Sequence, residues 1–357
     1  MIVTYIYSSY SAEQIRAQFR CRNLVDAINR TGLHRANSLG MNSFIQNTAD
    51  AQKVCSESDI LVIYRYLYGP ILAAVQYWKA RDKKVIVDFD QAVNFLTKDQ
   101  PEYSFWFEGV PLEDHTLGNE SLIDPIPLDQ FKWGLGMVDA ATVPSGRLAD
   151  DWSQITDIYQ VPDYINTYQY PGLNQNLENE VWIGLGSNVN YDGLKKSGLL
   201  AALENICQRH ARVKLILCNL ENHLDVSLDI DPSQLKIYTP RFFEEWVSIL
   251  LKLDIGLAPT YGNFDLRLGS GRLLEYMISK IPLIASEQPA FQEWSQYGQW
   301  VKNTSNEWET AILNTVDQLD VYKNKAAKDP FLFAISKDVS ANIDKVIKIY
   351  ASIINLS

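Results

Sequence analysis

Short apolar runs recur along the chain. Each ends in glycine or polar residues and is followed by apolar positions at helical spacing. In the first half the runs fall at 2–7, 59–64, 85–90, 139–143 and 158–161, and in the second at 181–187, 213–218, 235–238 and 255–258, with another opening at Pro282. Runs of this length, unbroken by polar alternation, suit strands buried on both faces of a parallel sheet. Between them, Ser11 and Gln14 form a capping-box signal, and Ile15, Phe19, Leu24, Ala27 and Ile28 mark a helix ended by Gly32. Arg16, Arg20 and Arg22 on that helix read as a solvated basic face. Further helices are expected through 77–79, after Gly146, over 193–207, 242–253 and 305–319. A closing helix carries Ile343, Val346, Ile347, Tyr350, Ile353 and Ile354. Alternation of strand and helix predicts an α/β protein with doubly wound parallel sheets.

Two stretches interrupt the alternation. Residues 91–133 read as a long loop with Phe105, Trp106, Phe107, Glu108, Asp114 and His115, of the length that often carries function. The tract 162–179, punctuated by Pro162, Pro171, Gly172, Asn174 and Asn176, reads as a domain boundary. With 357 residues and 46% hydrophobic content, two cores of ordinary size are expected. The predicted organisation is 1–166 as a first domain, 167–335 as a second, and 336–357 as a terminal helix returning to the first.

Charge narrows the choice of partners. A net charge of -11 without clustered Lys and Arg argues against nucleic acid. Cys21, Cys55, Cys207 and Cys218 lack metal-ligand or disulfide-framework spacing and read as reduced packing residues. No apolar run is long enough to span a bilayer and no basic leader opens the chain, so a soluble, cytoplasmic protein is expected, with at most weak peripheral membrane contact.

The chemistry concentrates in 254–286. After the strand at 255–258, Gly262, Gly269 and Gly271 permit positive φ and close approach of a ligand, and Asn263 and Asp265 add short polar groups. A helix then carries Arg272 and Glu275 three residues apart. An open helix start beside a cation favours a diphosphate, and a carboxylate one turn further can accept hydrogen bonds from paired sugar hydroxyls. The same spacing also fits a surface ion pair. Gly184, Gly186 and Ser187 form either a phosphate-approach turn or a plain tight turn. Asp88-Phe89-Asp90 matches a D-x-D metal pattern, but so does Asp229-Ile230-Asp231, and neither is assigned a metal. His115 can serve as a general base but reads better as a surface residue.

The block GRLLEYMISKIPLIAS, 271–286, resembles the donor site of GT-B fold glycosyltransferases, specifically the retaining family 4 type. The stretches VPSGRLADDW (143–152) and VPDYIN (161–166) are similar to that family's interdomain region, and 183–187 to its donor phosphate loop. This resemblance implies two Rossmann-like domains facing a cleft, with a C-terminal helix crossing back to the first domain. It implies a metal-independent transfer of a sugar from a nucleotide diphosphate sugar to a glycan, lipid or small-molecule acceptor, with no cofactor. Residue by residue, it implies that Glu275 meets the ribose and Arg272 the diphosphate. Gly186 and Ser187 would offer backbone to the diphosphate, with Asn263, Phe264, Asp265, Gly269, Ser270 and Gly271 lining the donor. One position departs: eight residues before Glu275 the family carries an acid, and Arg267 stands here, where it would reinforce the diphosphate site. The nearest acid is Asp265. A nucleotide-sugar epimerase and a non-catalytic nucleotide-sugar-binding protein are the alternatives.

Overall fold

The computed structural model describes residues 1–8, 15–100, 102–112, 121–172, 179–185, 191–218, 228–287, 291 and 294–355. The chain divides into two compact units. The first comprises Met1–Tyr164, Arg267–Gly269 and Val339–Ser357; the second comprises Ile165–Leu266 and Ser270–Asp338.

The first unit holds a six-stranded parallel sheet of β1 (Ile2–Tyr7), β2 (Arg35–Gly40), β3 (Ile60–Tyr64), β4 (Lys84–Asp88), β5 (Ala140–Val143) and β6 (Ile158–Gln160). Its order is β2-β1-β3-β4-β5-β6, so the winding reverses between β1 and β3. Central strands are buried along their whole length, as their unbroken apolar runs demand. β2 was not expected: RANSLG is an edge strand that buries only Ala36 and Leu39, and so lacks an apolar run. It is paired in register with β1 from Ile2↔Arg35 to Tyr7↔Gly40.

Two other expectations are corrected here. The stretch 91–133 is not a single loop: it contains helices Tyr103–Glu108 and Pro127–Met137. Its aromatics build a core in which the Trp106 ring stacks on Tyr66 at 6.0 Å and meets Phe131 edge-on at 5.5 Å. The basic helix is not solvated throughout. A π-helical turn, Gln18–Arg22, precedes α1 (Asn23–Arg30) and turns Arg20 inward, where it is 2% exposed.

The last helix of the chain, Val339–Ile354, packs in the first unit. Val339, Ile343, Val346, Tyr350 and Ile353 join its core with Val3, Tyr5 and Leu24, and the Tyr5 and Tyr350 hydroxyls lie 2.9 Å apart.

The second unit holds β7 (Val181–Leu185), β8 (Val213–Cys218), β9 (Leu235–Tyr238), β10 (Ile255–Ala258), β11 (Leu283–Ser286) and β12 (Gln299–Val301). All pair in parallel, in the order β12-β11-β10-β7-β8-β9. Counted from β7, this is the Rossmann order, with its switch point between β7 and β10. Helices α2 (Phe243–Leu250) and α3 (Gly271–Ile278) flank β10 in sequence. Gly256 on β10 lets α3 approach closely, since a Cβ there would lie 2.5 Å from the Tyr276 ring. In return the Tyr276 hydroxyl donates to the Leu257 carbonyl at 3.1 Å.

Among the described residues no helix is long and apolar enough to cross a membrane. All four cysteines are buried, and none is in a disulfide. Burial pushes the thiols of Cys55 and Cys218 up to about 12, and that of Cys207 up to about 11.

Candidate functional site

In an open α/β sheet, ligands gather beyond the carboxyl ends of the strands at the switch point. In the second unit those ends belong to β7 and β10. Gly186 and Ser187, which follow β7, lie outside the described residues, as does His115 of the first unit. The end of β10 is braced by a closed set of hydrogen bonds. Thr260 N–H donates to Ser286 Oγ at 2.9 Å, Ser286 Oγ donates to Asn303 Oδ1 at 2.7 Å, and Asn303 Nδ2 donates to the Thr260 carbonyl at 2.8 Å. These bonds lock the ends of β10 and β11 together, so the loop that follows leaves from a rigid base. The Thr260 hydroxyl itself is buried and has no hydrogen-bond partner among the described residues, a polar group that a ligand can satisfy.

Beyond it, the single turn Gly262–Asp265 carries Asn263, which is exposed, and Phe264 and Asp265, which are half-buried. Tyr261 N–H donates to Asp265 Oδ2 at 2.7 Å. Burial raises the Asp265 carboxyl above its ordinary value, against the pull of that N–H and of the Arg272 charge. Arg272 and Asp265 are thus close enough to feel each other's charge.

Helix α3 begins at Gly271, after Ser270, whose side chain makes no capping bond, and its first turn holds no acidic residue. The helix dipole places partial positive charge at this end, where an anion is favoured. Arg272 in the first turn is half-buried. Glu275, one turn on, is only 4% exposed, so a surface ion pair with Arg272 is excluded. Instead Glu275 Oε1 accepts two hydrogen bonds, from Trp246 Nε1 at 2.7 Å and from the Tyr170 hydroxyl at 3.0 Å. Trp246 projects from α2 and Tyr170 follows the 3-10 turn Thr167–Gln169. Neither was singled out from the sequence. Trp246 sits in an apolar helical stripe and Tyr170 in a tract of loop formers, and neither pattern distinguishes a hydrogen-bonding aromatic from an ordinary packing one.

Arg267 and Gly269 belong with the first unit. The Arg267 guanidinium forms a two-point ion pair with Asp151, closing on Oδ2 through Nε and on Oδ1 through Nη2 at 2.9 Å, and lies 3.7 Å over the Phe95 ring. Its carbonyl accepts from Ser145 Oγ at 2.7 Å. The charge of Arg267 is thereby met by a carboxylate of the protein. At Gly269 a Cβ would fall 2.1 Å from Asp163 Oδ2, so glycine is required by close approach.

The D-x-D pair is engaged by arginines. Arg20 makes a bidentate pair with Asp88 at 2.9 and 2.6 Å, and Thr142 adds a hydroxyl bond to Asp88 Oδ2 at 2.6 Å. Arg65, which has a φ of 69°, donates to Asp90 at 2.8 Å, and the Tyr64 hydroxyl donates to Asp90 at 3.0 Å. Among the described residues no cluster of His, Cys, Asp or Glu is placed to hold a metal ion.

No protein-family model and no curated protein matches the sequence. Solved structures match the fold over the whole chain. Sucrose-phosphate synthase from Thermosynechococcus elongatus superposes with a TM-score of 0.64 at 12% identity, covering 100% of both chains. Anabaena HepE, solved in complex with UDP-glucose, gives 0.62 at 11%, covering 99% of this chain and 100% of its own. A UDP-N-acetylglucosamine 2-epimerase gives 0.53 at 10%, covering 99% and 97%. The fold is the GT-B fold, with one Rossmann-like sheet in each unit.

Proposed function

We propose that the second unit binds a nucleotide diphosphate sugar and that the protein is a glycosyltransferase passing the sugar to a glycan, lipid or small-molecule acceptor. The observation that carries this reading is the buried carboxylate of Glu275, held by two donors one turn inside a helix whose first turn bears Arg272, at the switch point of a Rossmann sheet. Arg272 and the α3 N-terminus oppose the charge of the diphosphate, Glu275 accepts from the ribose hydroxyls, and the turn bearing Asn263, Phe264 and Asp265 approaches the sugar. The reaction breaks the bond from the anomeric carbon to the diphosphate and forms one to the acceptor oxygen. Positioning, and electrostatic stabilisation of the departing diphosphate, then lower the barrier without an enzyme-bound metal. The neighbours that carry UDP-glucose or are named for UDP-N-acetylglucosamine chemistry support a uridine nucleotide as the first donor to try.

The pairing of Arg267 with Asp151 favours a second reading, in which the donor is bound but not turned over, because the position of the resemblance's missing acid holds a neutralised cation. The test has two stages. UDP-, GDP- and ADP-sugars are screened for thermal stabilisation, where a ligand at a hundred times its Kd adds about 2.7 kcal/mol. The binding sugar is then incubated with acceptor mixtures and the free nucleotide diphosphate is measured. Stabilisation with release supports the transferase, and stabilisation without release supports the binding protein. If no nucleotide sugar stabilises the chain, both readings fall.

A further inference from the structure

A carboxylate sealed in a protein interior keeps its charge only when donors replace the water it has lost. Glu275 has such donors, and they come from distant parts of the chain, 29 residues away for Trp246 and 105 for Tyr170. Both converge on one oxygen, Oε1. An indole N–H can only donate, so Trp246 obliges that oxygen to remain an acceptor. Burial, and then Glu275 beside it, holds the Tyr170 phenol well above its ordinary pKa, so its hydroxyl also stays protonated and donates.

The two donors are themselves fixed. Trp246 is 2% exposed in the core of the second unit, and the Tyr170 ring meets Phe243 of α2 edge-on at 6.0 Å. Two fixed donors on one oxygen determine the rotation of the carboxylate and hence the direction in which Oε2 points. A merely structural role would not call for this arrangement, because an apolar residue of similar size packs such a site without the desolvation cost of a charge.

We propose that Trp246 and Tyr170 are positioning residues that hold Glu275 in one orientation toward the vicinal hydroxyls of a ribonucleotide, so that the site selects ribose through them. The proposal rests on the reading of the second unit as a nucleotide diphosphate site. It assigns roles to two residues that touch the ligand only through Glu275. Removing either donor loosens the rotation of the carboxylate, so that it meets a diol less often in the geometry that accepts from both hydroxyls.

The test is calorimetric titration of the full chain and of its W246F and Y170F variants with UDP, GDP and ADP, and with the 2′,3′-dideoxy form of whichever binds best. Each variant is expected to bind the ribonucleotide about tenfold more weakly, the loss of about one hydrogen bond. Affinity for the dideoxy form should stay within about twofold of the wild-type value, since that ligand offers Glu275 no hydroxyl. Equal weakening for the ribo and dideoxy ligands would show that the two aromatics only support the fold. If the wild type binds a nucleotide and the variants bind it unchanged, the positioning role alone is refuted. If the wild type binds none of the three, the nucleotide reading and this inference fall together. Y170F guards against a folding failure of W246F, because it removes one oxygen and leaves the ring packing intact.

Discussion

Replacing Arg20 by leucine isolates the energetics of the buried ion pair in the first unit. Arg20 is 2% exposed and Asp88 1%, so neither charge reaches bulk water. The substitution removes both bonds to Asp88, a 2.5 Å bond to the Val161 carbonyl and a 3.2 Å contact with Asp163, leaving Asp88 with the Thr142 hydroxyl. Deleting one partner of a buried pair costs about 3 to 5 kcal/mol, because the survivor stays buried and uncompensated. For a unit of this size each kcal/mol moves the midpoint by roughly 2 to 4 °C, so Tm should fall by roughly 6 to 20 °C. Calorimetry on the full chain, with urea unfolding followed by circular dichroism, should show a lower midpoint concentration at unchanged m. The pH dependence has a definite sign. Burial already raises the Asp88 carboxyl above its ordinary value, against the pull of Arg20 and Thr142. Without Arg20 it rises further, and a carboxyl raised in the folded state stabilises below its unfolded pKa and loses that contribution as pH climbs through the folded value. The deficit of Arg20→Leu should therefore be largest near neutrality and shrink as the solution is acidified. The double variant Arg20→Leu/Asp88→Leu should recover part of the loss, since an apolar pair leaves no orphaned charge. A Tm change under about 2 °C for the single variant would mean that water reaches Asp88 and that the interior assigned to this pair is wrong.

Two further outcomes concern the second unit. Asp265→Asn should raise Tm near neutral pH and converge with the wild type at about pH 4, because the native carboxyl is held above its ordinary pKa and its stabilising contribution is lost as pH rises through that value; a Tm difference that is the same at every pH would refute the assignment. Gly256→Ala should destabilise by about 1 to 3 kcal/mol in urea, since its Cβ would meet the Tyr276 ring at 2.5 Å and push α3 off the sheet; a neutral result would mean that the helix can move away at no cost.

The parts of the fold that were legible are those in which one segment's own pattern decides its burial. β3, β4, β5, β7, β8, β10 and β11 are near-continuous apolar runs, and a run of that kind has few places to go except the middle of a parallel sheet. β2 shows the limit, because RANSLG becomes a strand only by pairing with β1, whose presence its own residues do not announce. Arg20 shows the same limit for charge. Along its helix it is one of three arginines at similar spacing, and what draws it inward is a carboxylate 68 residues away. The candidate site divides in the same way. Glycines, a cation and a carboxylate at one helix start are local features and could be read from 254–286 alone. Whether Glu275 is a surface acid or a buried acceptor depends on Trp246 and Tyr170, which no spacing within that block encodes. Whether Arg267 is available to an anion depends likewise on Asp151, 116 residues earlier. In both units the sequence pattern therefore locates the polar groups, while their charge state and availability depend on partners brought in by the fold. Substitutions at those partners, more than at Arg272 or Glu275 themselves, separate the chemistry of this site from that of a generic anion-binding helix start.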